Sequence, residues 1–175
     1  MDFQSIVFEF IIGAYNSGGT FNEDGLFIGA EMQTEINNIP YIVAHELIHF
    51  QQKNWPENPT LLQQSINEGS ADFLGELISG VDTNKTPNDY GNRDEQRLCK
   101  EFVSRMDSTD YKDWLYGVSG KDDRPNDLGY WIGYKITERY FRNATDKKQA
   151  ISETLDIKDY KKFLKESGYL KNYIR

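Results

Sequence analysis

Both histidines of this 175-residue chain fall inside one pentapeptide, HELIH, at residues 45–49. On an α-helix, side chains four positions apart lie on the same face, roughly 5–6 Å from one another. Two imidazole nitrogens on such a face can reach one zinc ion at about 2.0–2.1 Å. This spacing predicts that one face of the helix borders a metal site.

The residues around the pentapeptide favour a helix over residues 40–52. Pro40 suits the first helical position, and Asn37 or Asn38 just upstream could cap it. Apolar residues cover much of this segment, which predicts that the helix is buried. The ring nitrogens of buried histidines need a partner, and a metal ion can be that partner. The alternative is a pair of buried histidines held by ordinary hydrogen bonds.

Glu46 lies directly after the first histidine, near the face that the two histidines share. It has no need to ligate the metal. It can instead accept a proton from a metal-bound water, whose pKa zinc lowers toward about 7. The motif HExxH therefore predicts metal-assisted hydrolysis.

A second helix is predicted over residues 60–79. It opens with Thr60 and Gln63 in the register of a capping box, and it ends before a glycine. Small residues inside this helix predict that it packs closely against the first helix, because glycine costs helix stability that packing must offset. These small residues are Gly69, Ala71 and Gly75.

Glu68 lies near the middle of this second helix and is the predicted third metal ligand. It follows His49 after a spacer of eighteen residues, 50–67. Asp72 is four positions further on, hence on the same face. Its carboxylate could accept the outer N–H of one ligating histidine and fix the tautomer of that ring. The alternative for Asp72 is an exposed helix aspartate.

These residues resemble the signature of the gluzincin metallopeptidases, which is HExxH, eighteen residues, and a glutamate in the setting N-E-G-x-A. The spacer is similar to that of the aminopeptidase branch, whereas Glu68 followed by Asp72 looks like the thermolysin branch. Four segments also resemble an uncharacterised bacterial group of predicted zinc-dependent proteases, some of them described as gliding-motility lipoproteins. The segments are AHELIHFQQ, NEGSADFLGELISG, LGYWIGYKI and FLKESGY.

The resemblance implies one zinc ion per chain, held by His45, His49 and Glu68, with Glu46 as the catalytic base. It also implies an α+β, mostly helical, zincin-like fold with a small N-terminal β-sheet. In these families an edge strand of that sheet lines the cleft and pairs with an extended peptide. We expect residues 1–175 to form a single catalytic domain, which could be a fragment of a longer chain.

The candidate for this edge strand is the apolar run at residues 25–31, whose end supplies three candidate substrate-binding residues, Gly29, Ala30 and Glu31. In aminopeptidases a similar strand carries a glutamate that holds the free amine of the substrate. The resemblance makes Glu31 the candidate for that role.

Hydrolysis also needs a hydrogen-bond donor for the oxyanion of the tetrahedral intermediate. The chain has no third histidine, so tyrosine or arginine must serve. Residues 127–137 predict a helix with Asp127 as N-cap, in which Tyr130 and Tyr134 share one face. The aminopeptidase branch places a tyrosine at a similar distance beyond the glutamate ligand. Tyr130 is the first candidate and Tyr134 the second; the alternative for each is a core aromatic.

The remaining pattern predicts short elements around these two helices. The first 13 residues read as part of a strand, without the basic region and cleavage site of a signal peptide. Strands are predicted at residues 5–14 and 25–31, a turn at 16–20, a polar loop at 80–92, a helix at 93–106, an irregular segment at 107–126, and one or two short helices after 146.

The composition of the chain limits the kinds of partner that it can bind. A net charge of −8 argues against nucleic acid and anionic membrane surfaces, since like charges repel. Cys99 is the single cysteine, which excludes an intrachain disulfide. No apolar run approaches the roughly 18 residues of a transmembrane helix. The chain would be cytoplasmic, or in the cell envelope if an N-terminal anchor had been removed.

The predicted function is hydrolysis of peptide bonds in a peptide or protein substrate. One alternative is a zinc-stabilised binding module without turnover, because so small a chain lacks the second lobe that usually closes a gluzincin cleft. The other is a zinc hydrolase that acts on a non-peptide substrate. The motif does not distinguish internal from terminal cleavage.

Overall fold

The structure is a computed structural model that describes residues 8–11, 18–22, 25–32, 35–81, 84–116 and 123–174. Within these residues it contains a three-stranded sheet followed by seven α-helices. This confirms the predicted α+β, mostly helical fold. No helix in these ranges has the length and apolar character needed to span a bilayer.

The described residues form two compact units. The first comprises the described parts of Met1–Gln51 and Leu74–Thr83, and the second those of Gln52–Phe73 and Asn84–Arg175. The sheet and the helix with the HELIH pentapeptide belong to the first unit. The larger apolar core belongs to the second.

The sheet of the first unit consists of β1 (Phe8–Ile11), β2 (Gly19–Asn22) and β3 (Gly25–Gly29) in the order β1-β3-β2. β1 runs parallel to β3, and β2 runs antiparallel to it. β3 is therefore the central strand, and the prediction that the run at residues 25–31 is an edge strand is wrong. The reason is that pairing with β1 and β2 occupies both of its edges.

The segments next to these strands differ in detail from the prediction. β2 begins inside the segment predicted to be a turn, at Gly19. The predicted second strand ends early, because Ala30–Met32 forms a 3₁₀ turn. The predicted first strand is described only as β1, since the rest of residues 5–14 lies outside the described residues.

Helix α1 (Ile39–Gln51) confirms the helix predicted around the HELIH pentapeptide. It begins one residue before Pro40, so the proline is the second helical residue. The missing N–H of proline costs nothing there, because the first N–H groups of a helix have no intrahelical partner. Within the first unit, α1 packs on β2 and β3 and buries Ala44 and Ile48.

Helix α2 (Leu61–Ser79) confirms the second predicted helix and its capping box. The backbone N–H of Thr60 donates to Gln63 Oε1 at 2.8 Å, and the N–H of Gln63 donates to Thr60 Oγ1 at 3.4 Å. This reciprocal pair satisfies two amide groups that the helix itself leaves without partners. The start of α2 is thus fixed by local sequence.

Helix α3 (Lys85–Arg93) lies where a polar loop was predicted. Its sequence has low helix propensity, but its proline is the third helical residue, where no N–H is needed. Gly91 lies directly against the indole of Trp131, and Trp131 Nε1–H donates to Asn92 Oδ1 at 3.1 Å. Packing within the second unit therefore outweighs local propensity.

The remaining helices of the second unit surround one hydrophobic core. Phe102, Trp114 and Trp131 lie at its centre and are almost fully buried. These helices confirm the predicted helix near residues 93–106 and the short helices of the tail. They are α4 (Glu95–Arg105), α5 (Leu128–Asn143), α6 (Lys147–Thr154) and α7 (Tyr160–Ser167).

The start of α5 differs from the prediction. Asp127 stands at the N-cap position but adopts a left-handed conformation, with φ 65°, and makes no side-chain capping bond. Its Oδ1 atom instead accepts the backbone N–H of Tyr116 at 3.4 Å. Asp127 therefore ties a loop to α5 rather than capping the helix.

Candidate metal centre

His45 and His49 lie one turn apart on α1, and their rings converge. Their Nε2 atoms are 2.9 Å apart. The rings meet edge to face, with centroids 4.5 Å apart. Both side chains are largely buried. Two imidazole nitrogens directed at a common point can bind a single metal ion.

Glu68 lies on α2 and is 6% exposed. Its Oε1 atom accepts a hydrogen bond from the Tyr116 hydroxyl at 2.6 Å and another from Gln64 Nε2 at 3.0 Å. A buried carboxylate needs donors or a cation to offset its lost hydration. Glu68 is thus a buried carboxylate with two donors on one oxygen.

His45, His49 and Glu68 form a group that could hold a metal ion. One potential ligand atom of each lies within 4.8 Å of the other two. Catalytic zinc sites use three protein ligands of these types and leave a fourth position for water or substrate. The donor set and its burial therefore fit a zinc ion.

Glu46 follows His45 on α1 and is 9% exposed. Within the first unit, Gly19 of β2 lies against it. A Cβ atom added to Gly19 would come within 2.9 Å of both Cγ and Oε1 of Glu46. Any larger residue at position 19 would therefore force the Glu46 side chain to move, so β2 limits where that carboxylate can lie.

Tyr130 lies on α5, and its hydroxyl is hydrogen-bonded to that of Tyr116. Burial raises the pKa of both tyrosines, and the negative charge of Glu68 raises it further. Both hydroxyls therefore stay protonated at neutral pH and can act as hydrogen-bond donors. A role for Tyr130 at the oxyanion stays a prediction.

Tyr134, the second candidate, has a different environment. Its ring packs edge-on against Phe73, with centroids 5.5 Å apart. Its backbone N atom lies beside Gly69, where a Cβ would approach within 2.1 Å. These contacts agree with the alternative that Tyr134 is a core aromatic, which packs from α5 against α2. Its catalytic role stays a prediction.

Asp72 is buried, at 4% exposure, so the alternative of an exposed helix aspartate does not hold. Its Oδ2 atom accepts a hydrogen bond from Asn84 Nδ2 at 2.5 Å. The buried side chain is compatible with an ordering role beside the site. A hydrogen bond from a ligating histidine to Asp72 stays a prediction.

The candidate substrate-binding residues lie where β3 ends. The N–H of Gly29 donates to the Gly18 carbonyl at 3.2 Å, so this amide already has a backbone partner. Ala30 and Glu31 belong to the 3₁₀ turn after β3 and are partly exposed. Backbone pairing of a substrate with β3 is therefore not supported, whereas a contact between Glu31 and a substrate amine stays a prediction.

Sequence reasoning missed Gln64 and Tyr116, which both donate to Glu68. Gln64 could have been found, because it precedes Glu68 by four positions and must share its helix face. Tyr116 carries no such signal. It lies in an irregular segment far from Glu68 in sequence, and its position depends on a left-handed backbone with φ 56°.

Comparison with known proteins identifies the family of this chain. A family model described as "Predicted Zn-dependent protease (DUF2268)" matches residues 11–165, which include both α1 and α2. No curated protein and no solved structure matches the chain. Because the match spans most of the sequence, the chain belongs to this family of predicted zinc-dependent proteases.

Proposed function

We propose that this protein is a zinc-dependent peptidase in which His45, His49 and Glu68 hold the metal and Glu46 is the general base. The observation that carries the proposal is the approach of the three ligand side chains to within 4.8 Å of one another. Membership of a family of predicted zinc-dependent proteases supports both the metal and the reaction class.

In the proposed reaction, the metal and the residues around it have different roles. When bound, zinc supplies a Lewis acid that polarises the scissile carbonyl and lowers the pKa of a coordinated water to about 7. Glu46 accepts the proton that the attacking water loses, and it returns that proton to the amine of the leaving group. Gly19 keeps the backbone of β2 against Glu46 and so restricts the rotamers of this base.

Tyr130 is our candidate donor to the oxyanion. Its hydroxyl donates to that of Tyr116, which in turn donates to Glu68, so it lies beside one proposed ligand. To serve the oxyanion, the Tyr130 hydroxyl would turn its single proton from Tyr116 toward the substrate. Its partial burial within the second unit favours a strong hydrogen bond to developing charge, because a less hydrated site screens that charge less.

Replacing Tyr130 by Phe is expected to lower kcat by roughly 10²- to 10³-fold with a smaller effect on KM, because an oxyanion donor acts mainly in the transition state. Steady-state kinetics on a fluorogenic peptide would measure this. A loss of kcat in Tyr134→Phe, with normal turnover in Tyr130→Phe, would exchange the two assignments.

Metal removal tests the proposed function itself. The zinc-loaded chain is incubated with a peptide library, and the new termini are identified by mass spectrometry. We expect cleavage that disappears after chelation and returns when zinc is added back. Tightly bound zinc without any cleavage product would contradict the peptidase and favour the binding module, whereas chelator-resistant cleavage would contradict the metal mechanism.

A further inference from the structure

We propose that Gln64 and Tyr116 are positioning residues that together hold the Oε1 atom of Glu68 and so fix the orientation of its carboxylate as a metal ligand. This inference rests on the proposed zinc site and defines how its third ligand is oriented. Gln64, Glu68 and Tyr116 all belong to the second unit, so the argument depends only on contacts inside that unit.

The three side chains are hydrogen-bonded to one another. Gln64 Nε2 is 3.0 Å from Glu68 Oε1 and 2.7 Å from the Tyr116 oxygen, and that oxygen is 2.6 Å from Glu68 Oε1. The two N–H groups of the Gln64 amide thus have one acceptor each, and the Tyr116 proton goes to the carboxylate. Both donors meet at one carboxylate oxygen, so together they restrict the rotation of the Glu68 carboxylate.

A third contact fixes the orientation of the Gln64 amide. Trp55 Nε1–H donates to Gln64 Oε1 at 3.1 Å. An indole N–H can only donate, so the oxygen of the amide must face Trp55 and the nitrogen must face Glu68. Gln64 is therefore held in the one orientation in which it can donate to the carboxylate.

Tyr116 is placed at Glu68 by an unusual backbone. It is 59% exposed, yet its hydroxyl reaches a buried carboxylate. Its φ of 56° lies in the left-handed region, which is unfavourable for a residue with a bulky side chain. Its N–H bonds to Asp127 Oδ1, which anchors this conformation to the start of α5. An unfavourable conformation held in this way is typical of a residue whose side chain has a function.

Side chains that orient a metal ligand typically affect metal affinity by about 10- to 100-fold when they are removed. We therefore expect Tyr116→Phe and Gln64→Met each to weaken zinc binding by roughly that factor. Because the two donors share one acceptor, the double variant should lose less than the product of the two single losses.

The test measures zinc affinity of the full chain by competition with a chromophoric chelator, and records the visible absorption spectrum of the cobalt(II)-substituted protein. Tyr111→Phe is the matched control, because it also removes a tyrosine hydroxyl, one that donates to the Pro59 carbonyl. The centroid of the Tyr111 ring lies 6.2 Å from that of the Tyr116 ring. We expect weaker zinc binding and an altered cobalt spectrum in the two test variants and neither change in Tyr111→Phe.

Wild-type affinity and an unchanged cobalt spectrum in both Tyr116→Phe and Gln64→Met would overturn the inference. Circular dichroism of the metal-free proteins identifies a variant that has lost its fold. The zinc affinity and cobalt spectrum of the other variant then decide whether the inference holds. A wild-type chain that binds no zinc would instead contradict the proposed function, so the two failures can be distinguished.

Discussion

Glu46→Gln is expected to reduce peptide hydrolysis by about 10²- to 10⁴-fold, which is the usual contribution of a general base. Glutamine has nearly the same shape as glutamate but cannot accept the proton of the attacking water. The close packing of Glu46 against Gly19 should hold the amide where the carboxylate was, so the loss would report chemistry rather than rearrangement. Turnover on a fluorogenic peptide and zinc content by metal analysis would be measured together.

Glu57→Gln is a suitable control for this variant. Glu57 is exposed, and the substitution changes net charge by the same amount as Glu46→Gln. We expect normal turnover in Glu57→Gln and full zinc content in both proteins. Turnover of Glu46→Gln within a few-fold of wild type would show that another group is the base.

Gly69→Ala is expected to lower the free energy of unfolding by about 3 kcal/mol or more, at the upper end of overpacking effects. An added Cβ would lie 2.1 Å from the backbone N of Tyr134 and 2.2 Å from the carbonyl carbon of Gly133. Backbone atoms of α5 cannot rotate away as a side chain could, so α2 and α5 would have to separate. Urea unfolding of the metal-free protein would measure the loss.

Gly75→Ala, in the same helix, is the matched control. Its Cβ would meet its nearest atom, the backbone N of His45, at 3.4 Å, which is an ordinary contact. Alanine also has a higher helix propensity than glycine, by about 1 kcal/mol. We therefore expect Gly75→Ala to be neutral or slightly stabilising. Equal changes in the two variants would contradict the prediction, because the approach of α5 to Gly69 would then have no effect of its own on stability.

These contacts also correct the prediction that the small residues of α2 all pack against α1. Gly75 does lie against α1, as predicted from the sequence. Gly69 instead permits the close approach of α5 in the second unit. A stripe of small residues predicts that another element packs closely against the helix, but it does not identify that element.

The parts of the site that follow local rules could be predicted from the sequence. The spacing of His45 and His49 fixes their common face, and Thr60 with Gln63 fixes the start of α2, because both depend only on helix geometry. The features that were missed depend on how separate elements pair and pack. β3 is central because β1 and β2 both bind it, and α3 forms because Trp131 packs on it.

Tyr116 shows the same limit at the site itself. Its contact with Glu68 requires a left-handed backbone in an irregular segment, and no periodicity in the sequence encodes that conformation. That the chain forms a single catalytic domain likewise stays a prediction, as do the roles of Glu31 and Asp72.

The pairing of β2 with β3 links the reactivity of Glu46 to the alignment of two short strands. Gly19 lies opposite Ile28, and Thr20 lies opposite Phe27. A slip of one position that brought Thr20 opposite Ile28 would put a branched side chain into the space beside the base. We therefore expect that an insertion in the connection between these strands would abolish the proposed peptidase activity while every proposed metal ligand stayed intact.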